Sequence, residues 1–250
     1  MSSKIYGIIG DIHANTEALK VVLEDAAAQG VTDWICTGDV VGYNARPSEC
    51  IRIVRDELKA PVVCGNHDYY VAYEQNLEDF HPAAAQAVLW TRENITAEDM
   101  DWLRSLPMSK PVMGMTIVHA TLDMPDHWGY IFDDLQAESH FVYQKTPICF
   151  HGHTHVPVVY EKSPFGVVHY DPRGFENGEF KIVPGKKYFI NVGSVGQPRD
   201  GDPRASYAVF DSASRVVRFR RIAYDVAAAQ AQILAAGLPE RCAARLETGN

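Results

Sequence analysis

Within its first 68 residues the chain repeats one arrangement three times: a short apolar run, a glycine, then polar side chains capable of chemistry. The apolar run at 4–9 leads to Gly10-Asp11-Ile12-His13, and Trp34-Ile35-Cys36-Thr37 leads to Gly38-Asp39-Val40-Val41-Gly42. Pro61-Val62-Val63-Cys64 leads to Gly65-Asn66-His67-Asp68. Runs this short and apolar read as buried strands. Glycine lets the backbone turn where a side chain would clash. After the first run, Ala18, Leu19, Val22, Leu23 and Ala26 recur at helical spacing over 15–29, and Gly30 ends that helix. A second helix is predicted from about Ser48 to Leu58, with Ser48 as its N-cap and Glu49 in its first turn. Successive strand–loop–helix units constrain the chain to an α/β sheet, in which ligands bind just beyond the strand ends.

The remainder is read more coarsely. Two helices are predicted over 82–106, broken near Asn94-Ile95-Thr96, then strand-like runs at 111–114 and 115–118 closing at His119. Residues 120–132 are polar and aromatic and read as a loop beside the site. A helix near 133–142 and a strand at 147–150 lead to His151-Gly152-His153-Thr154-His155. From 157 onward short β-rich runs separated by Gly and Pro predict a largely antiparallel second sheet, extending to 215–222. A helix at about 225–236 follows, and the tail to Asn250 is weakly patterned. With 250 residues and no linker or repeat, 1–250 is expected to form one domain.

A net charge of −9 argues against non-specific binding to nucleic acid or to an anionic membrane surface. It does not exclude an anionic substrate, because bound cations can dominate a local field. The five cysteines form no Cys-x-x-Cys pair, and Cys36, Cys64 and Cys149 lie in apolar runs as small core residues. That usage suggests a reducing compartment. With no apolar stretch approaching a membrane span, a cytoplasmic protein is expected.

Each polar cluster has a bland reading. Asp11 and Asp39 could cap helices, Asp68 could cap the helix after its turn, and His119 could be a hydrogen-bonded core histidine. His153 and His155 alternate as in a strand, so both can point the same way. His151 is assigned a structural role, and His81, His127, His140 and His169 match no motif and fall to surface or packing. Together, two carboxylates, an amide oxygen and several imidazoles suit borderline divalent ions such as Mn, Fe, Ni or Zn.

The ordered set Asp11-x-His13, Gly38-Asp39-x-x-Gly42, Gly65-Asn66-His67-Asp68, His119 and Gly152-His153-x-His155 resembles the calcineurin-like metallophosphoesterase superfamily. The resemblance spans residues 5 to about 196. It implies a four-layer αββα sandwich: two mixed sheets face to face, helices outside, ligand loops at one end. It implies two metal ions, the first held by Asp11, His13 and His155, the second by Asn66, His119 and His153, with Asp39 bridging. Two metals about 3.5–4 Å apart clamp both sides of a phosphoryl displacement. The implied reaction is hydrolysis of a phosphate mono- or diester by a metal-bridging hydroxide. His67 would serve as proton donor to the leaving group, or as a clamp on the phosphoryl oxygen. A small phosphate ester is the expected partner, and a dinucleoside polyphosphate is an alternative substrate. The other rival is a silent scaffold on the same fold, like the retromer subunit that lacks a histidine at the His67 position. The phosphoprotein phosphatase branch places an aspartate where Gly42 stands, an arginine where Tyr43-Asn44 stand, and glutamate in place of Asp68. Those departures argue against a Ser/Thr protein phosphatase and leave the orienting partner of His67 open.

The segment Asn191-Val192-Gly193-Ser194 resembles the Asn-Pro-Gly-Ser segment of small prokaryotic phosphoesterases, with Val192 in place of proline. It reads as a phosphate-pocket lining or as a sheet corner. Arg46 and Arg199 are candidates for substrate contact.

Overall fold

The computed structural model describes residues 4–73, 75–78 and 80–250. Two mixed sheets pack face to face. The first runs in the order β2 (Asp33–Cys36), β1 (Ile5–Ile9), β10 (Ala205–Asp211), β11 (Val216–Ile222), β8 (Glu179–Lys181). Only β1 and β2 are parallel in it. The second runs β3 (Ser109–Val112), β4 (Met115–Val118), β5 (Ile148–His151), β9 (Lys187–Asn191), β6 (Val158–Ser163), β7 (Gly166–Tyr170). There β4, β5 and β9 are parallel.

Alternation along each strand explains the layering. On β1, Ile8 points between the sheets, in a cluster with Ile35, Phe150, Ile190 and Phe210. Its neighbour Ile9 points outward to Leu19 and Val22 of α1 (Thr16–Ala28). On the far side of the second sheet, Cys149, Tyr160 and Phe189 pack against Ala137 and Phe141 of α6 (Asp134–Tyr143). Each sheet is thus apolar on both faces and is covered on both, as the four-layer expectation required.

The helices begin where side chains satisfy their free N–H groups. Asn15 caps α1, and Thr96 with Asp99 forms a capping box on α5 (Ala97–Ser105), which follows α4 (Pro82–Glu93). The Ser48 cap is corrected. Helix α2 (Pro47–Arg52) starts one residue earlier with Pro47 in its first turn, and continues as a π-helical turn through Ile53–Glu57. The Ser48 hydroxyl instead bonds Asp99 at 2.6 Å. Proline at the first helical position loses no bond, so it outcompetes a serine cap.

Three further expectations change. Residues 61–64 form no strand, only a parallel bridge between Val62 and Cys36. Pro61 has no N–H to give, and the Cys64 N–H goes to the Pro107 carbonyl at 2.8 Å. The strands after 157 do not make one sheet: β8, β10 and β11 join β1 in the first sheet, while β6, β7 and β9 join the second. The tail is a helix, α8 (Glu240–Thr248), packed by Cys242, Ala243 and Leu246. They meet Ala229 and Ile233 of α7 (Val226–Ala235), Ala84 and Ala87 of α4, and Tyr43. All five cysteines are buried and free. Among the described residues no helix is long and apolar enough to cross a membrane.

Candidate metal centre

The loops after β1, β2, β4 and β5, with the first residues of α3 (Asn66–Ala72), meet at one end of the two sheets. Their backbone is unusual. Asp11, His13, Asp39, His153 and His155 all have positive φ, between 47° and 69°. Side chains with a Cβ avoid that region, and such residues gather where the surrounding structure forces them. Two glycines make room for the carboxylates. A Cβ on Gly65 would stand 2.1 Å from Asp39 Oδ1, and one on Gly152 would stand 2.2 Å from Asp11 Oδ2.

Seven side chains converge: Asp11, His13, Asp39, Asn66, His119, His153 and His155. Asp11, His13, Asp39 and His155 place their ligand atoms within 4.8 Å of one another. His13 Nε2 lies 3.1 Å from His155 Nε2 and 3.6 Å from Asp39 Oδ2. On the other side Asn66 Oδ1 lies 3.1 Å from His119 Nε2 and 3.0 Å from His153 Nδ1. The same Asp39 Oδ2 lies 3.3 Å from His119 Nε2, so one oxygen faces both groups. The other, Oδ1, accepts the His67 N–H at 2.8 Å. Ligands about 2.1 Å from one ion stand about 3.0–3.4 Å apart, which is the spacing here.

The tautomers sharpen this. His13 Nδ1 faces the Val41 carbonyl at 3.0 Å, and His155 Nδ1 faces the Gln197 carbonyl at 2.5 Å. His119 Nδ1 faces the Thr37 carbonyl at 2.9 Å, and His153 Nε2 faces the Trp128 carbonyl at 2.9 Å. A carbonyl only accepts, so in each ring that nitrogen donates and the neutral ring's other nitrogen carries a lone pair. With all four rings neutral, their lone pairs converge on one another, on Asn66 Oδ1 and on Asp39. Buried acceptors facing acceptors repel unless a cation lies between them, and a carbonyl behind each ring is the usual support of a metal-bound histidine. The donor set fits a metal.

The charges agree. Burial holds His13 and His155 well below the usual imidazole range, and brings His153 down to about 3, so all three stay neutral. Burial and the neighbouring Asp39 push Asp11 up to about 7. Burial opposes the charge on both members of the Asp39–His119 pair, but each favours the other's charged form. Asp39 is held below the usual carboxylate range and His119 rises to about 9. The pocket is short of positive charge, and a proton at His119 Nε2, facing Asp39 Oδ2, supplies the charge that a cation at the neutral ring's lone pair would supply.

Supporting groups fix the loops. Asp68 accepts from Val40 N and Val41 N at 2.9 and 3.2 Å and from Gly65 N at 3.1 Å, tying the Asp39 loop to the start of α3. The 191–197 segment is a sheet corner. Ser194 Oγ donates to the Asp11 carbonyl at 2.7 Å, and Asn191 Nδ2 donates to the Gly152 carbonyl at 2.6 Å. His67 is buried, with no hydrogen bond to Nδ1. Its ring is oriented by packing between Tyr43 at 4.4 Å, His13 at 4.9 Å and Phe80 at 5.7 Å. A Cβ on Gly42 would stand 2.6 Å from its Nδ1, so a side chain at 42 would displace the ring. Burial lowers His67 to about 4.

The strand-like alternation of His153 and His155 is corrected. Strand β5 ends at His151, and both histidines sit in a turn, aimed by left-handed backbone instead of by pleat. A cavity of about 500 Å³ opens from the site, and His67, Asn66 and Arg199 line it. Arg46 does not: it is exposed at the start of α2. His81 and His127 do line it, beyond their expected packing role. His140 and His151 pack on opposite sides of the argument from the site, both stacked on Phe189 at 3.5 and 3.6 Å. His169 pairs with Asp134 at the surface. Trp128 and Tyr130 come from the 120–132 loop expected beside the site, whereas sequence reasoning missed Tyr43, Arg241 and Arg245, which also line the cavity. The signal for the last two was the apolar spacing of Cys242 and Leu246, which marks a helix in the tail.

The chain matches the calcineurin-like phosphoesterase superfamily domain over residues 5–215. It is 37% identical over 253 residues to an uncharacterised protein of Methanocaldococcus jannaschii, covering 100% of both. It is 40% identical to a metallophosphoesterase of known structure from Sphaerobacter thermophilus, with a TM-score of 0.88 and 100% of each chain covered. A symmetrical bis(5'-nucleosyl)-tetraphosphatase of Actinobacillus pleuropneumoniae is 29% identical over 119 residues, which are 45% of this chain and 43% of that protein.

Proposed function

The chain belongs to the calcineurin-like phosphoesterase superfamily, and on that premise we propose that it hydrolyses a phosphate ester at a pair of divalent ions. The observation that carries this reading is the convergence of four imidazole nitrogens on Asp39 and Asn66, each ring's other nitrogen being tied to a backbone carbonyl. Asp11, His13 and His155 would hold one ion and Asn66, His119 and His153 the other, with Asp39 Oδ2 shared. Mixed oxygen and nitrogen donors without thiolate suit Mn, Fe, Ni or Zn. Bound there, the ions supply Lewis acidity toward the phosphoryl oxygens and lower the pKa of water.

The chain's own groups do the rest. His67 lines the cavity beside the site, and with Nδ1 turned against Gly42 it has Nε2 left for the substrate. Neutral at rest, the ring takes up a proton when a phosphate's negative charge joins that of Asp39 beside it, and Nε2 then gives that proton to the leaving oxygen. Arg199 stacks its guanidinium over the Tyr43 ring, 5.6 Å from its centroid, and adds positive charge where a phosphate would approach. A dinucleoside polyphosphate is the second reading, favoured by the partial match to a tetraphosphatase and by a cavity that exceeds one phosphate.

The test is turnover of 4-nitrophenyl phosphate and of a simple alkyl phosphate with added Mn²⁺, in wild type and His67→Ala. Wild type should hydrolyse both. Loss of a proton donor costs about 10²–10⁴-fold. That loss should fall on the alkyl ester, because nitrophenolate departs unprotonated. Equal losses would assign His67 to clamping the phosphoryl oxygen. No turnover of any mono- or diester by metal-loaded protein would overturn hydrolysis and leave the silent scaffold.

A further inference from the structure

Helix α8 lies outside the matched span of 5–215, yet it forms one wall of the cavity. Its apolar face, Cys242, Ala243 and Leu246, is fixed against α4, α7 and Tyr43. That packing sets its rotation. Arg241 and Arg245 are four residues apart, hence neighbours on one face, and both line the cavity. Arg199 lines it too and donates from Nη2 to Gln197 Oε1 at 3.0 Å and to Tyr43 Oη at 3.3 Å. Arg245 gives its Nε to a backbone oxygen of Asn250, the last residue of the sequence.

Among the described residues, no Asp or Glu side chain forms an ion pair with any of the three, whereas Arg204, Arg220 and Arg221 each have one. Arg199 Nε is buried without any hydrogen-bond partner. Burial and the Arg199 charge hold Arg245 below the usual arginine range, so the guanidinium groups are close enough to repel. A chain of net charge −9 has acidic side chains in plenty to neutralise such a cluster. Three guanidinium groups beside a cavity, with no Asp or Glu side chain paired to them, make a site for an anion, and their forked donors match phosphate oxygens.

We propose that Arg241 and Arg245, with Arg199, form a second anion subsite that selects phosphate esters carrying at least one further phosphoryl group beyond the scissile one. This deepens the phosphoesterase reading and rests on it for the word scissile. Arg199 stands beside the metal ligands, its backbone N–H bonded to the His155 carbonyl at 3.3 Å, and its guanidinium lies over Tyr43, the ring against which α8 packs. Tyr43, packed on His67 on one side and on α8 on the other, separates the α8 arginines from the ligands, so a phosphate they hold is a distal one. Lying outside the matched span, the two α8 arginines would serve selection, not the chemical step.

Calorimetric binding of inorganic phosphate and of tripolyphosphate to the full chain tests this, both as isolated with its metal and after chelation. Wild type should bind tripolyphosphate at least about tenfold more tightly in both states, the increment of one charge-assisted contact. Arg241→Gln/Arg245→Gln should abolish the preference. Arg241 is exposed, so Arg241→Gln alone, which leaves the packed face intact, should narrow it even if the double variant melts. Equal affinities in wild type, or a preference untouched by either variant, would overturn the subsite. Failure of the phosphoesterase reading looks different: no turnover with metal bound, while the binding preference persists in the chelated protein.

Discussion

At the scale of single residues, Asp39 carries the sharpest consequence. Its Oδ1 holds the His67 N–H, and its Oδ2 stands 3.6 Å from His13 Nε2 and 3.3 Å from His119 Nε2. One oxygen therefore serves both halves of the site. Asp39→Asn should lower both metal stoichiometry and turnover, and by more than Asp11→Asn or Asn66→Ala, which each touch one half. Elemental analysis beside kcat/KM reads this, and two ions with full activity in Asp39→Asn would exclude sharing. The seven convergent residues were legible in the sequence because each follows an apolar run and most adjoin a glycine. The means of aiming them was not. His153 and His155 look like strand alternation, but left-handed φ values turn them, and a conformation that unfavourable is imposed by tertiary contacts. The orienting partner of His67 was illegible for a related reason: it is packing against Tyr43, His13 and Phe80 instead of a hydrogen bond.

At the scale of elements, helix α6 links the second sheet to the loop beside the site through His140. The Leu122 N–H donates to His140 Nδ1 at 3.2 Å, and His140 Nε2 faces Gln144 Oε1 at 3.1 Å. The first contact needs a lone pair on Nδ1, so the bonded ring is neutral, and burial lowers its pKa to about 3. The unfolded chain takes up this proton below about 6.5, the ordinary histidine value. Between those limits the unfolded state binds more protons than the folded one. Stability is then full above the unfolded pKa and is lost as pH falls toward 3. His140→Gln should flatten the slope of unfolding free energy between pH 6 and 4 by about one proton, at most ~1.4 kcal/mol per pH unit. Urea melts at several pH values measure it, and an unchanged slope would mean His140 titrates normally. Helices α1, α4, α5 and α6 were readable from apolar spacing and caps. Helix α8 was passed over although its polar and apolar faces are well separated, because its nine residues carry one large apolar side chain, Leu246, among many charged ones. The failed strand at 61–64 has the opposite cause: an apolar run satisfies the local pattern while Pro61 and the Pro107 carbonyl take its N–H groups out of the ladder.

At the scale of the whole molecule, the two mixed sheets were implied by the order of motifs, but the division of later strands between them was not. Strands β9 and β10 are both buried along nearly their whole length, so their local pattern does not tell them apart, and only pairing across nearly the full chain, Ile5 with Asp211, puts β10 in the first sheet. The same long reach governs stability. The proposed ligands come from the loops after β1 and β2 in one sheet and after β4 and β5 in the other, so a bound ion pair would tie the two sheets at one end. Anything that binds only the folded chain stabilises it, by about 2.7 kcal/mol at a hundredfold excess over Kd. For a chain of 250 residues each kcal/mol moves Tm by about 2–4 °C. Chelation should therefore lower Tm by about 5–10 °C, and re-addition of Mn²⁺ should restore it. Asp39→Asn should shrink that shift, since the shared oxygen is weakened toward both ions. Scanning calorimetry with and without chelator reads the effect. A Tm that ignores chelation, in protein shown by elemental analysis to have lost its metal, would mean the loops are held by their backbone contacts alone and that the ions do not couple the sheets.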